Sequence, residues 1–528
     1  MPRLTVPPNF IGTSGIDTLA AEESNASVAI GIDILNGGVI NTFSGNDSIS
    51  GTGKPSTGST KPKKPVIGIG INNSGTLYAG DGSDMIAGIG TGLKFIGTGI
   101  NNSSSLNAGN GIGISNSGSL KAGNGNDTIT GTSTGVTPIG ISNSGSFDAG
   151  NGNDTITGTG TGGTGFRVFG TPNALKDRKG DTGIGISNSG SFDAWYGNDT
   201  ITGVGTGSIG IQGGFQGGDN SKGGDGGTGI GISNSGNFDA GNGNDTITGI
   251  GTGGNGREGT AYAFTASIPP SIFRGESGDG GTGIGISNSG SFDVGDGNDT
   301  ITGTGTGGTG GTGSEGFAQD TTSNYTSVDE SGDGGAKIGT TSIGIQNIKK
   351  AIITTGENTD TIEGFATSLE ANILAYGIFN DGIIDTGNDH DILTGQATTT
   401  IGGIAYGIYG QGIIRTNDGN DKITATNNID KVQQKVSIGG GIRFELGTGN
   451  DYFKGFGSAI VDGGSGFDTL DVSAFKRSEV SVSGVISSNS LNPANITFNN
   501  NDNLITLSTI GFENFIFADS SFSYSSLA

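Results

Sequence analysis

Thirteen aspartates carry the clearest chemical signal in this 528-residue chain: Asp17, Asp47, Asp84, Asp127, Asp154, Asp199, Asp245, Asp299, Asp360, Asp391, Asp421, Asp451 and Asp468. Most close a short turn such as GNGND at 150–154 and lead into a strand-forming string such as TIT. One carboxylate in a glycine turn is bland, but a column of them is not. Stacked ~4.8 Å apart, as neighbouring strands are, two carboxylates repel by ~1 kcal/mol in water and ~3–4 kcal/mol at a protein-like dielectric. An oxygen-seeking divalent cation between them reverses the sign. Glycine lets such a turn use positive φ and aim its carbonyls inward. The remaining residues make poor catalytic company. Cysteine is absent, which removes disulfides and thiolate metal sites. The single histidine, His390, lies inside GNDHDILTG, at a turn position rather than where a general base would act. Lys and Arg are sparse, no nucleophile–base pair stands out, and the many G-x-G strings are repeat turns rather than nucleotide fingerprints. The sequence predicts no enzyme.

The elements that position the aspartates repeat. ISNSGSFDAGNGNDTITG at 141–158 returns as ISNSGSFDAWYGNDTITG at 186–203, ISNSGNFDAGNGNDTITG at 232–249 and ISNSGSFDVGDGNDTITG at 286–303. Steps between successive aspartates are 30, 37, 43, 27, 45, 46, 54, 61, 31, 30, 30 and 17 residues, so the unit is 27–31 residues and the longer steps carry insertions. Eleven residues before the marker stands Asn36, Asn73, Asn116, Asn143, Asn188, Asn234, Asn288 or Asn380. Seven before it stands an apolar residue: Ile40, Leu77, Leu120, Phe147, Phe192, Phe238, Phe292, Ile384, Ile414 or Phe444. Insertions avoid this segment, apart from two extra residues ahead of Asp360. An extra half-unit near 100–111 runs directly into another IGISNSG.

Short alternating segments (GIGIS, SFD, DTIT) between glycine-rich turns predict an all-β fold, a right-handed parallel β-solenoid of about thirteen coils with two or three strands each. Ile and Phe face inward, Thr outward, and the asparagines pair side chain to side chain at a turn. Such a rod is roughly 60 Å long. The expected organisation is an N-terminal first coil or cap over 1–35 and a repeat domain over 36–468. A C-terminal β cap with a type I secretion signal follows over 469–528. Insertions near 54–65, 160–182, 204–228, 250–282 and 304–340 are expected as surface loops emerging on one side.

AGNGNDTIT at 149–157 fits the nonapeptide G-G-x-G-x-D-x-U-x, with Gly150, Gly152, Asp154 and Ile156 in the defining positions. Here the sequence resembles the repeats-in-toxin family of secreted bacterial proteins. The match recurs at Gly297-Asn298-Asp299, Gly419-Asn420-Asp421, Gly449-Asn450-Asp451 and GGSGFDTLDV at 463–472. Thr359-Asp360 and His390-Asp391 lack the second glycine, and Trp195-Tyr196 replaces Gly-Asn in one copy. The family places the motif every nine residues on both edges of a roll, whereas this chain has it once per coil. The resemblance implies Ca²⁺ held by the thirteen aspartates and turn carbonyls, in one column along one edge. It also implies export without a cleaved N-terminal signal and folding driven by external calcium.

Composition bounds the function. With 111 glycines but only 11 prolines and no three-residue period through the chain, collagen is excluded. A net charge of −24 argues against nucleic acid as partner, and no apolar run long enough to insert in a membrane is present. The insertion aromatics Phe166, Phe169, Phe215, Tyr262, Phe264, Phe273, Phe317 and Tyr325 suggest a contact face, and KPSTGSTKPKKP at 54–65 is a basic loop suited to an acidic neighbour or polysaccharide. Thr128/Thr130, Thr155/Thr157, Thr200/Thr202, Thr246/Thr248 and Thr300/Thr302 form a T-x-T array like that of ice-binding solenoids, a face the insertions are expected to shadow. The expected function is structural: a secreted calcium-stabilised solenoid that self-associates end to end into a filament, sheath or surface layer. An adhesin for glycan or ice, and a polysaccharide-modifying enzyme, are the alternatives.

Overall fold

The computed structural model describes residues 3–24, 26–55, 67–91, 110–163, 179–210, 223–258, 262–264, 271–273, 277–311, 341–368, 373–400, 402–485, 492–500 and 503–527. It is a parallel β-solenoid with three strands per coil. One coil consists of Gly183–Asn188, Ser191–Asp193 and Thr200–Thr206; each pairs in parallel with its equivalent in the next coil, Gly229–Asn234, Asn237–Asp239 and Thr246–Thr252. Thirteen third strands, from Thr18–Glu23 to Thr469–Asp471, each follow one of the thirteen aspartates. Among the described residues no helix is long and apolar enough to cross a membrane.

The alternation of the sequence explains the layers. In Thr200–Thr206 the odd-numbered residues Ile201, Gly203 and Gly205 are buried and the threonines face out, as a period of two requires. Inside, the second strands stack Phe147, Phe192, Phe238 and Phe292 ring on ring, with centroids 4.5, 4.6 and 4.3 Å apart and planes within 8°. Each fully buried ring contributes about 1.5–3 kcal/mol of apolar burial. The corner between first and second strands is held by an asparagine ladder in which each Nδ2 donates to the next Oδ1, at 2.8–3.0 Å, through Asn73, Asn116, Asn143, Asn188, Asn234, Asn288, Asn347 and Asn380. Asn36, expected in this ladder, is not in it: Ile34 pairs with Asn73, and Asn36 lies in the turn that follows. Asn347 fills the rung that two extra residues had displaced.

The cross-section tapers. Beside the aspartate edge the inward residues are Ile and Phe, whereas toward the far end of the third strand they are glycines. A Cβ on Gly203 or Gly185 would overlap backbone of the opposite sheet, so the two sheets close on each other there. In the coils after residue 360 this end is wider, and Ala366, Ala375, Ala397 and Ala405 make a small apolar cluster of their own.

At that narrow end the insertions leave and return as paired legs rather than as the expected loops. Buried and outward residues follow a three-residue period, as in Gly253, Gly254 and Asn255, or Gly226, Gly227 and Thr228, the period of a polyproline II-type chain. Outgoing legs bond to one another (Gly207 N to Thr252 O, Gly253 N to Thr306 O, both 2.8 Å), and so do returning legs (Gly226 N to Asp279 O, 2.7 Å). A zigzag joins the two layers: Gly227 N to Ser208 O, Gly254 N to Gly227 O, Gly281 N to Gly254 O and Gly308 N to Gly281 O, at 2.7–2.8 Å. Glycine is required because a Cβ on Gly254 or Gly281 would overlap a neighbouring leg. Beyond the legs, the described part of one insertion is an antiparallel pair, Tyr262–Phe264 with Ser271–Phe273. The other insertion aromatics, most of the 54–65 loop and the half-unit up to residue 109 lie outside the described residues.

The ends differ. Val28–Ile34 pairs with both Leu4–Val6 and Ile67–Asn73, so the strands at the N-terminal end are rungs of the same stack. At the C-terminal end the parallel stack stops: Ala494–Asn500 runs antiparallel to Asn503–Ile510, and Ser521–Ser523 antiparallel to Asn514–Ile516. These strands cover the last open edge.

Candidate metal centre

The edge turn is built by backbone conformations that glycine favours. In the turns before Asp47 through Asp468, positions four and two before the aspartate take positive φ, as at Gly150 (99°) and Gly152 (137°), with Gly419 the exception. Where glycine is replaced, the conformation persists: Trp195 (72°), Asn358 (81°), Asp389 (84°) and Asn417 (57°) are all left-handed. The turns with the poorest motif therefore keep the geometry of the best. A Cβ on Gly152 would overlap the carbonyl oxygen of Gly125, one on Gly197 that of Gly152, and one on Gly243 that of Gly197. These carbonyls are thus directed along the column, into space that only glycine leaves open.

The aspartates form one continuous ladder. The backbone N–H of each donates to Oδ1 of the next: Asp17 to Asp47, Asp127 to Asp154, Asp154 to Asp199, Asp245 to Asp299 and Asp421 to Asp451, all at 2.7–2.8 Å, with every intervening step also made. Asp47, Asp84, Asp127, Asp154, Asp199, Asp245, Asp299, Asp360, Asp391, Asp421, Asp451 and Asp468 are at most 3% exposed. In all twelve, Oδ2 is buried without a hydrogen-bond partner among the described residues. An unpaired buried acceptor costs about 1–3 kcal/mol, and more when charged. Burial pushes the carboxyls of Asp154, Asp299 and Asp391 up to about 8 and those of Asp127, Asp199, Asp245, Asp360 and Asp468 to about 7. Proteins rarely leave such groups unanswered.

Asp17 stands apart. Its carboxylate accepts from Thr13 N at 2.7 Å and lies beside Thr13 Oγ1, so the outermost aspartate is satisfied by its own turn. At the other end Glu513, in the cap, accepts from Asp468 N at 2.8 Å and completes the ladder. Nothing in its local sequence marks it, because it serves as a rung without belonging to a repeat. A second ladder runs beside the first: Asn153 N donates to Asn126 Oδ1, Asn198 N to Asn153 Oδ1 and Asn244 N to Asn198 Oδ1, at 2.7–2.8 Å. His390 occupies one of its rungs, its Nδ1 accepting from Asn420 N at 2.9 Å, which makes it a turn residue.

A further acidic column went unremarked in the sequence although it lies in the repeated SFD string. Asp148, Asp193, Asp239 and Asp293 pair in register across the second strands. Asp193 is pushed up to about 6, by burial first and then by the charge of Asp239. The edge thus carries two parallel rows of carboxylates.

The donors in reach are carboxylate oxygens and backbone carbonyls, which suits a hard divalent cation. Among the described residues no three carboxylate or imidazole side chains converge on one point. A cation here would therefore be shared by aspartates of successive turns and completed by carbonyls.

No family model matches the chain, and neither does any curated protein. Among solved structures, the chain is similar to a hyperactive, Ca²⁺-dependent, beta-helical antifreeze protein from an Antarctic bacterium, at 14% identity and a TM-score of 0.28 over 97% of this chain and 94% of that one. At that score the two superpose too loosely for the likeness to carry an argument about this chain.

Proposed function

We propose that this protein is a secreted, calcium-loaded β-solenoid of the repeats-in-toxin type, acting as a structural element outside the cell rather than as an enzyme. The observation that carries the reading is the run of twelve buried Asp Oδ2 atoms without a hydrogen-bond partner among the described residues, set beside carbonyls directed along the same column. Ca²⁺ neutralises the row, ties each coil to the next and makes folding depend on the millimolar calcium found outside cells. Assembly into a filament or layer remains part of the proposal. Circular dichroism with calcium and then chelator tests the folding claim. Identical spectra and melting curves in both would refute it.

A second reading, adhesion to an ordered surface such as ice, is favoured by the outward threonines. Thr128, Thr130, Thr132 and Thr134 lie in register with Thr155, Thr157, Thr159 and Thr161. Thermal hysteresis measured on the calcium-loaded protein decides it, and a freezing point no lower than that of a buffer control removes it.

A further inference from the structure

The first strands of most coils expose small or aliphatic residues, but two coils near the C-terminal end do not. Ile284 and Ser287, then Ile343 and Gln346, are followed in register by Tyr376 and Phe379, then by Tyr406 and Tyr409. All four residues are partly buried, with part of each side chain open on the outer face. Tyr376 and Tyr406 lie nearly parallel (8°) with centroids 6.3 Å apart, and Tyr409 packs 5.0 Å from Tyr376 and 5.1 Å from Tyr406. In the next coil the paired position is Gly439, where a Cβ would lie 2.7 Å from Tyr409 Cδ2 and 2.9 Å from Tyr406 Cε1. The rings thus spread over bare backbone and form a platform. Four partly exposed rings clustered on one outer face are a candidate contact surface.

The platform borders a groove of about 510 Å³ that begins at Tyr406 and runs past Ile429, Gln433 and Gln434 to Phe498, Asn500 and Asn503 of the C-terminal cap. Asn427 lines it and is 2% exposed. Its Nδ2 donates to the carbonyls of Ala405 and Val436. Those two acceptors fix the amide orientation and leave Oδ1 buried without a donor among the described residues. The groove's cation, Lys435, is taken by Glu479 at 2.7 Å and sits over the Phe475 ring. What remains is the Tyr406 and Phe498 rings and the neutral amides of Gln433, Gln434, Asn500 and Asn503.

We infer that this groove and its tyrosine platform bind a neutral saccharide. A pyranose lies against Tyr406 and turns its hydroxyls to Gln433, Gln434, Asn500 and Asn503. Acidic sugars are disfavoured because among the described residues the groove offers no free cation, and because the chain's net charge is −24. The site is independent of whether the edge takes calcium, because none of its residues belongs to the aspartate column.

Isothermal titration of the full chain in calcium with neutral hexasaccharides (gluco-, xylo- and manno-configured), and with polygalacturonate as the charged counterpart, tests it. Binding of at least one neutral hexasaccharide is expected, weakened tenfold or more in Tyr406→Ala and in Tyr376→Ala and largely kept in Tyr406→Phe. Both alanine changes lie on an outer face, and an unchanged calcium-loaded melting curve confirms folding. No heat with any neutral sugar, equal affinity in the alanine variants, or preference for polygalacturonate would overturn the inference. Competition by a decyl-chain detergent better than by free sugar would also overturn it, assigning the groove to an apolar tail.

Discussion

Along the aspartate edge twelve of the thirteen turns end with a buried carboxylate oxygen that has no hydrogen-bond partner among the described residues, whereas at the far end of the same strands the glycine legs match backbone N–H to backbone carbonyl in two directions. Both regions are rich in glycine and both exclude Cβ atoms. They use the space differently: the edge keeps it for carbonyls and carboxylates that converge on a column, while the legs fill it with neighbouring backbone. One region is therefore short of counter-charge, and in the other the described backbone groups are paired with one another. That contrast predicts which perturbations act where.

Removing calcium should separate them most strongly. Chelation at pH 7.5 is expected to lower the coil melting temperature by on the order of 10 °C or more, read by circular dichroism. A next effect comes from pH. In chelator, burial holds eight of the column carboxylates, Asp127, Asp154, Asp199, Asp245, Asp299, Asp360, Asp391 and Asp468, near 7–8 when folded and they sit near 3.9 when unfolded, so between these values the folded state holds more protons. Stability is then greatest toward pH 4–5 and falls as pH rises to 8. In calcium the trend reverses, because protons compete with the cation for the same oxygens. Melting curves at pH 5, 6, 7 and 8 in both conditions check the crossing.

Asp245→Asn keeps the Oδ1 acceptor for Asp199 N and removes one buried charge. It should lower the melting temperature by a few degrees in calcium and raise it by a similar amount in chelator, each about 1 kcal/mol. A change of the same sign in both would break the contrast. Gly254→Val gives the smallest global effect. Its Cβ would overlap Ser208, at a cost of ~1–3 kcal/mol, confined to the legs. Amide exchange at Gly281 and Gly308 is expected to quicken while exchange at Ile201 and Ile247, in the coil core, stays slow.

The coil register was legible because a period repeated in near-identical copies fixes which residues align, and Phe147, Phe192, Phe238 and Phe292 indeed stack. The aspartate column followed from the same arithmetic. What escaped the sequence has physical causes. Ile34 takes the rung assigned to Asn36 because the following turn absorbs extra residues, and spacing alone cannot show where slack lies. The legs were read as loops because glycine strings carry no side-chain pattern, and their three-residue period shows only in which residues are buried. Left-handed Trp195 and Asp389 show that the stack on either side, more than the local motif, dictates the turn. Glu513 closes the ladder from outside the repeat, and the tyrosine platform arises from two coils that depart from it.

The central claim is that the unpartnered aspartate oxygens exist to bind cations. Thirteen aspartates define twelve steps, so equilibrium dialysis with ⁴⁵Ca²⁺ at pH 7.5 and millimolar free calcium measures it directly. About one ion per step, on the order of ten or more per chain, is the predicted result. Fewer than two per chain would contradict the account.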